Sequence, residues 1–306
     1  MYKFWLFCLS VISFEASAFN ALKMNEVAPG IFVHYGVHEL PDRQNHGEIA
    51  NIGFIVGEKC VAVIDTGGNP EQGQALKLAV KKATEKPVCY VINTHVHPDH
   101  IYGNKAFKEA SVKFVGHYKL ARAMATRSAY YIDKAQDQLA VAIGHDDLVP
   151  PDIEVKNTLI LSLGGRELTL TAHQTAHTDN DLSVYDAQTD TLWLSDLLFI
   201  THLPVVDASA LGWLKEIDQL IQKSYTTVIP GHGPVVKDWP KSMQPQKSYL
   251  HNLVADVRNL QKQGKYLEDA VTLLGHDLPP HWALVSEFHK KNITAVFAEL
   301  EWDDSN

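Results

Sequence analysis

Apolar and polar positions alternate from Pro29 to Tyr35, the two-residue period of a strand with one buried face. Ala50–Val56 and Cys60–Ile64 are two further apolar runs joined by Gly57-Glu58-Lys59, a spacing that predicts a hairpin. The second run stops sharply at Asp65-Thr66-Gly67-Gly68. Over residues 70–84 the pattern changes to a helical one, with Ala75, Leu76, Ala79 and Val80 on one side. A buried strand is predicted at 87–92, a short helix at 102–109, a strand at 112–115 and a long helix from Tyr118 to Ala142. Val149-Pro150-Pro151 breaks the pattern and reads as a boundary between two halves. Strands resume at 153–161, 167–172, 182–185 and 191–194, followed by a helix over 211–223 and a strand at 226–229. Pro230-Gly231-His232-Gly233-Pro234 is a tight loop, and residues 241–306 read as helical with an interruption at 274–281. Strand-rich segments flanked by helices predict an α/β (α+β) protein in which paired sheets are covered by helices.

Composition changes this picture little: 45% apolar and 21% charged residues over 306 positions support a large core. The net charge of -9 comes without a Lys/Arg block of the kind that tracks phosphates, which points away from nucleic acid and toward a small-molecule substrate. The N-terminus changes it more. Met1-Tyr2-Lys3, an uncharged apolar run from Phe4 to Phe14, and Ala16-Ser17-Ala18 predict a secretory signal peptide over 1–18, too short to span a membrane as a helix. The mature chain, 19–306, is then expected to be one exported domain, periplasmic or secreted, with no membrane span. Cys60 and Cys89 remain in it, each in an apolar run, and either a bridge or two buried thiols suits them.

The candidate chemistry is concentrated in Asn93-Thr94-His95-Val96-His97-Pro98-Asp99-His100. A lone histidine is usually a surface or core residue; four metal-ligand types within six positions after a strand's end are not so easily explained. Imidazoles with a carboxylate suit zinc, and also iron or copper. Pro98 argues against both a ladder strand and a helix interior there. Three later positions could complete the ligand set: His177 after the 167–172 strand, Asp196 at the end of the 191–194 strand, and His232 in the Gly-His-Gly loop. Singly, these would be a loop histidine, a capping aspartate and a flexible turn. Their shared location, just past predicted strand ends, is where α/β sheets place their sites. His34, His117, His173 and His202 are secondary candidates only, as pocket or supporting residues.

The series Asp65-Thr66-Gly67, His95-x-His97-x-Asp99-His100, His177, Asp196 and His232 resembles the metallo-β-lactamase superfamily, over most of the mature chain and in order. The resemblance implies a four-layer αββα sandwich with its site at one edge of the two sheets. It implies a first metal ion on His95, His97 and His177, a second on Asp99, His100 and His232, and Asp196 bridging them. The full motif is most similar to glyoxalase II-like hydrolases. Ala50–Gly57, Gly164-Gly165-Arg166, His202-Leu203-Pro204 and Gly212-Trp213-Leu214 further resemble exported quinoprotein relay system zinc metallohydrolases, related to a SoxH-type group. The secreted β-lactamases lack a bridging aspartate at Asp196, so antibiotic hydrolysis is the less expected activity.

Two ions holding one water lower its pKa toward neutrality. The implied enzyme is therefore an exported dinuclear zinc hydrolase of a small ester, thioester, lactone or amide, acting through a hydroxide shared by two zinc ions, with manganese or iron as other fits. Asp99, between two ligand histidines, is the candidate catalytic carboxylate that orients the water and takes up its proton. Competing expectations are a mononuclear iron persulfide dioxygenase and a periplasmic accessory protein of a quinoprotein system.

Overall fold

The computed structural model describes residues 20–276 and 282–303; the predicted signal peptide lies outside the described residues. Seven strands form the first sheet in chain order: β1 (Asn25–Ala28), β2 (Ile31–His34), β3 (Ile52–Val56), β4 (Val61–Ile64), β5 (Val88–Ile92), β6 (Lys113–His117) and β7 (Ile153–Val155). Pairing is antiparallel up to β4 and parallel from β4 to β7. The second sheet has five strands: β8 (Thr158–Ser162), β9 (Glu167–Ala172), β10 (Leu182–Asp186), β11 (Thr191–Phe199) and β12 (Thr227–His232). It is antiparallel except where β11 and β12 run parallel.

Strand periodicity builds the layers. Ala62 and Ile64 point between the sheets, where they meet Leu168, Leu170, Val184, Trp193 and Ile229. Their neighbours Val61 and Val63 point outward onto Leu76, Ala79 and Val80 of helix α1 (Pro70–Ala83). Asn69 caps α1, its side chain accepting from Gln72 N at 2.7 Å, and Pro70 occupies the first turn, where its missing N–H costs nothing. A single turn, α2 (Pro98–Ile101), and α3 (Leu120–Lys134) complete that side. On the far side, α4 (Ala210–Leu220), α5 (Gln244–Lys262) and α7 (Val285–Glu301) bury Trp213, Ile217, Leu250, Val257, Ile293 and Val296 against Leu192, Leu194 and Val228. Helix α6 (Leu267–Leu274) packs beside α7. Helix, sheet, sheet, helix is the αββα order expected from the sequence.

Several local expectations are corrected and others are completed. The predicted strand over 153–161 is two strands in different sheets, and the crossing falls at Lys156-Asn157, not at Val149-Pro150-Pro151. An apolar run does not report which sheet its residues join. The long helix stops at Lys134, passes through a wide turn at 135–139 and ends on left-handed Ala140 (φ 55), a conformation that an alanine gives no warning of. Pro98 stands at the first position of α2, where a proline is tolerated, so Asp99 and His100 sit on a helical turn. Cys60 and Cys89, beside one another at the starts of β4 and β5, are joined in a disulfide, with Cα atoms 5.8 Å apart.

Candidate metal centre

Strands β4, β5, β11 and β12 all end at one edge of the sandwich, and bonds across the two sheets fix that edge. Leu182 N donates to Thr94 O at 2.8 Å. Buried Asn51 donates through Nδ2 to Pro230 O and Gly233 O at 2.9 and 2.8 Å, pinning the end of β12, which extends through His232 where the sequence predicts a loop. Asp196 lies within β11 and not past its end as the sequence suggests. The β11–β12 register is irregular here, and Ser195 takes a left-handed φ of 50°, a kink that redirects the side chain which follows.

The structure brings all seven predicted residues together. His97 Nδ1 lies 3.1 Å from His95 Nε2 and 3.0 Å from His177 Nε2. Asp99 Oδ2 lies 3.6 Å from His100 Nε2 and 3.5 Å from His232 Nε2. Asp196 reaches both groups: its Oδ2 is 3.3 Å from His177 Nε2 and 3.4 Å from His232 Nε2, and its Oδ1 is 3.2 Å from His100 Nε2. Gly231 is a glycine for this reason, since a Cβ there would stand 1.8 Å from Asp196 Oδ1.

The outward nitrogen of each imidazole meets an acceptor. His177 Nδ1 faces Val205 O at 2.7 Å, His232 Nδ1 faces Ile49 O at 2.9 Å, and His100 Nδ1 faces Asp65 Oδ2 at 2.8 Å. His97 Nε2 faces Asp207 Oδ2 at 3.3 Å. His95 Nδ1 faces Thr94 Oγ1 at 3.1 Å, and that hydroxyl's own proton goes to Asp65 Oδ2 at 2.7 Å. Carbonyls and carboxylates only accept, so the outer nitrogens hold the ring protons and the inner ones present lone pairs. Three such lone pairs on His95, His97 and His177 face one another with no proton between them. His100 Nε2 and Asp196 Oδ1 are buried without a hydrogen-bond partner. Unpaired buried polar atoms are costly, and a cation in their midst removes the cost. The donors therefore fit metal binding.

Electrostatics agree. Burial works to raise the Asp196 carboxyl, but His232, His100 and His95 hold it well below the usual carboxylate range. Burial pushes His95 well below the imidazole range and brings His177 down to about 4. Burial opposes the charged form of His100 too, yet Asp196, Asp99 and Asp65 lift it well above the ordinary value. A field that favours a proton at that point also favours a divalent cation.

A cleft of about 340 Å³ opens over Asp99, Asp196 and His232. Leu40, Ile49, Val205 and Phe288 give it apolar walls, and Tyr130, Gln138 and Lys291 give polar ones. Helix α7 thus both packs on the flank and walls the cleft. It also braces the centre: Asn292 accepts from Val206 N at 2.9 Å and donates to Pro204 O at 2.7 Å, holding the loop that carries Val205 O and Asp207.

Of the secondary candidates, His202 joins the cleft, its ring 5.0 Å from that of His232, and burial lowers it to about 4, so it is neutral. His34 bonds Lys23 O, His117 stacks on Tyr118 and His173 bonds Glu216 and Ser183, so these three serve elsewhere. Asp207 carries no sequence signal. It stands between His97 and Arg127, whose Nη2 donates to it at 2.8 Å, and these two neighbours outweigh burial to hold it below the carboxylate range.

Two nitrogen-rich donor sets around a shared carboxylate, opening on a small cleft at a sandwich edge, are the layout of a metal-dependent hydrolase. Residues 47–232 match the family described as the metallo-beta-lactamase superfamily, and the chain belongs to it. A probable metallo-hydrolase of Streptococcus pyogenes is 25% identical over 200 residues, 62% of this chain and 82% of that protein. A linear primary-alkylsulfatase of Pseudomonas sp. is 40% identical over 61 residues, 20% of this chain; the match spans only 12% of that longer protein. Among solved structures, a metallo-beta-lactamase from Pontibacter korlensis superposes with a TM-score of 0.60 at 22% identity, over 76% of this chain and 99% of its own. The sec-alkylsulfatase Pisa1 from Pseudomonas sp. superposes with a TM-score of 0.66 at 20% identity, over 93% of this chain and 51% of its own. At such identities the structural likeness establishes the shared fold.

Proposed function

We propose that the protein is an exported dinuclear hydrolase, with zinc as its metal, that cleaves a small ester, thioester, lactone or amide. The alkylsulfatase relatives add sulfate esters to that set. The observation that carries the reading is the Asp196 carboxylate, in contact with both donor groups at 3.2–3.4 Å. His95, His97 and His177 would hold one ion, Asp99, His100 and His232 the other, and Asp196 would join them. When bound, a metal pair polarises the scissile group and lowers the pKa of water toward neutrality.

The chain's own side chains do the rest. Asp99 lines the cleft and is the carboxylate placed to orient water and accept its proton. Neutral His202 offers a hydrogen bond at the cleft wall, and Leu40 and Phe288 exclude water from an apolar substrate portion. The cleft's size suits a small molecule and not a polymer. A complete second donor group favours two metals over the single iron of a persulfide dioxygenase. Export is supported by the leader-like composition of residues 1–18 and by the Cys60–Cys89 bridge, since disulfides persist in oxidising compartments. Within the stretches that resemble the quinoprotein relay hydrolases, Arg166 ties the two sheets together, His202 adjoins His232, and the Trp213 ring lies 5.4 Å from that of His177.

Elemental analysis of the purified protein, with a screen over thioesters, lactones, alkyl sulfates and a chromogenic cephalosporin, tests the reading. About two zinc per chain with turnover of one class is the expected result. One iron with oxygen consumption on a persulfide would replace it with the dioxygenase. Asp207→Ala is expected to weaken metal affinity by about 10–100-fold, the usual effect of removing a ligand's hydrogen-bonded support. A competitive chelator titration reads this, and an unchanged affinity would show that Asp207 does not orient His97.

A further inference from the structure

A second group of reactive side chains lies on the opposite face of β9 and β10 from the core between the sheets. Leu168, Leu170, Leu182 and Val184 point into that core. Strand alternation therefore turns Thr169, Thr171, Ser183 and Tyr185 outward, where they line a cleft of about 900 Å³ beside α4. Glu216, Gln219 and Lys223 border the same cleft at three- and four-residue spacing, one side of α4 and the turn that ends it. This cleft shares no lining residue with the one over the metal centre.

At its floor three side chains form one hydrogen-bonded chain. His173 Nδ1 is 2.8 Å from Glu216 Oε2, and His173 Nε2 is 2.7 Å from Ser183 Oγ. All three are buried, at 7% exposure for His173, 6% for Glu216 and 3% for Ser183. The carboxylate can only accept, so Nδ1 keeps the ring proton and Nε2 presents its lone pair. The Ser183 hydroxyl therefore donates to Nε2, which leaves its oxygen lone pairs free. A hydroxyl bonded to an imidazole that a carboxylate orients is an activated nucleophile, whatever fold it appears on. A threonine-and-serine stripe that served only to solvate the sheet would not require a buried imidazole–carboxylate pair beneath it.

We infer that Ser183, His173 and Glu216 form a second, metal-independent acyl-transfer site for small esters. Ser183 Oγ bonds to the ester carbonyl carbon as its proton passes to His173 Nε2. The carbon–oxygen bond to the leaving alcohol breaks, and that alcohol takes the proton from His173. Water then bonds to the acyl carbon as one of its protons passes to His173 Nε2, the bond from that carbon to Ser183 Oγ breaks, and Oγ takes the proton back from His173. The sum is ester plus water to acid plus alcohol. Gln219, Lys223 and the hydroxyls of Thr169 and Thr171 line the same cleft, which is therefore rich in donors for a developing oxyanion.

Labelling the metal-loaded full-length protein with diisopropyl fluorophosphate tests this, because phosphorus–oxygen bond formation with loss of fluoride marks an activated serine. Peptide mass mapping is expected to place one adduct on Ser183, absent from Ser183→Ala and formed about 100-fold more slowly in His173→Gln, the loss expected without the base. Hydrolysis of 4-nitrophenyl acetate that survives chelation should disappear in Ser183→Ala. Glu216→Gln keeps the acceptor shape without the charge; labelling slowed by about tenfold or more supports the site even if Ser183→Ala does not fold. No adduct on the folded wild-type protein, an adduct elsewhere, or equal labelling of His173→Gln would reduce the trio to a structural tie and overturn the inference.

Discussion

Asp196→Asn is expected to lower bound metal from about two ions per chain to about one, and to cut hydrolytic turnover by roughly a thousandfold. The asparagine keeps the size of the buried side chain, so packing is not at issue. What it removes is one negative charge among His95, His100, His177 and His232, with nitrogens 3.2–3.7 Å away. It also puts an amide NH2, a donor, where a carboxylate oxygen faces imidazole lone pairs. Either orientation of the amide turns an NH2, which cannot ligate a cation, toward one of the two groups. Metal analysis alongside turnover distinguishes this from a general loss of fold, which circular dichroism would show. Full metal content with full turnover in the variant would mean that Asp196 does not join the two groups.

The second large effect concerns stability. Arg166→Ala is expected to destabilise the fold by roughly 3–5 kcal/mol, the range for breaking a buried ion pair from one side. Arg166 donates through Nε and Nη2 to the two oxygens of Asp186, both at 2.8 Å, and through Nη1 to Pro29 O and Val56 O at 3.0 and 2.9 Å. One guanidinium thus ties β9 and β10 of the second sheet to β3 and the β1–β2 turn of the first. Alanine would leave a carboxylate that is 0% exposed facing no counter-charge. Lysine would not restore a bond that needs the guanidinium fork. Burial works to raise the Asp186 carboxyl, but Arg166 and Thr189 outweigh it and hold the group below its ordinary range. In the wild type its contribution is therefore present above about pH 4 and lost as pH falls through the lowered value. In the variant the lone buried carboxylate gains by taking up a proton, so the stability gap should narrow below about pH 4. Thermal unfolding at neutral and acid pH reads both effects; a gap independent of pH would show that Asp186 is not the group left unpaired.

Why some of this was legible in the chain and some was not follows from range. The motif His95 to His100 is local: its residues share one turn, so sequence neighbours are spatial neighbours. His177 and His232 are recoverable from strand ends because β9, β11 and β12 run in one direction and bring their carboxyl ends to one edge. The sequence places Asp196 past a strand end, whereas it reaches the site from inside β11 by a kink at Ser195 that nothing in a serine announces. The supports are long-range. Asp207, Ile49 O and Val205 O meet imidazoles 110, 183 and 28 residues away, and no spacing rule links them. The division of 153–161 between two sheets is hidden for a similar reason, because Ile153, Val155 and Leu161 all enter the one core between the sheets. His173 drew notice as a spare histidine, but only the pairing of β9 with β10 and the seat of α4 reveal its partners.

The proposed chemistry requires Asp196 to stand between two metal positions. Anomalous X-ray scattering at the zinc edge, from crystals of the zinc-loaded protein, tests this most directly. The expected map has two peaks flanking the Asp196 carboxylate, one against His95, His97 and His177 and the other against Asp99, His100 and His232. A single peak, or a second one remote from Asp99 and His232, would contradict it.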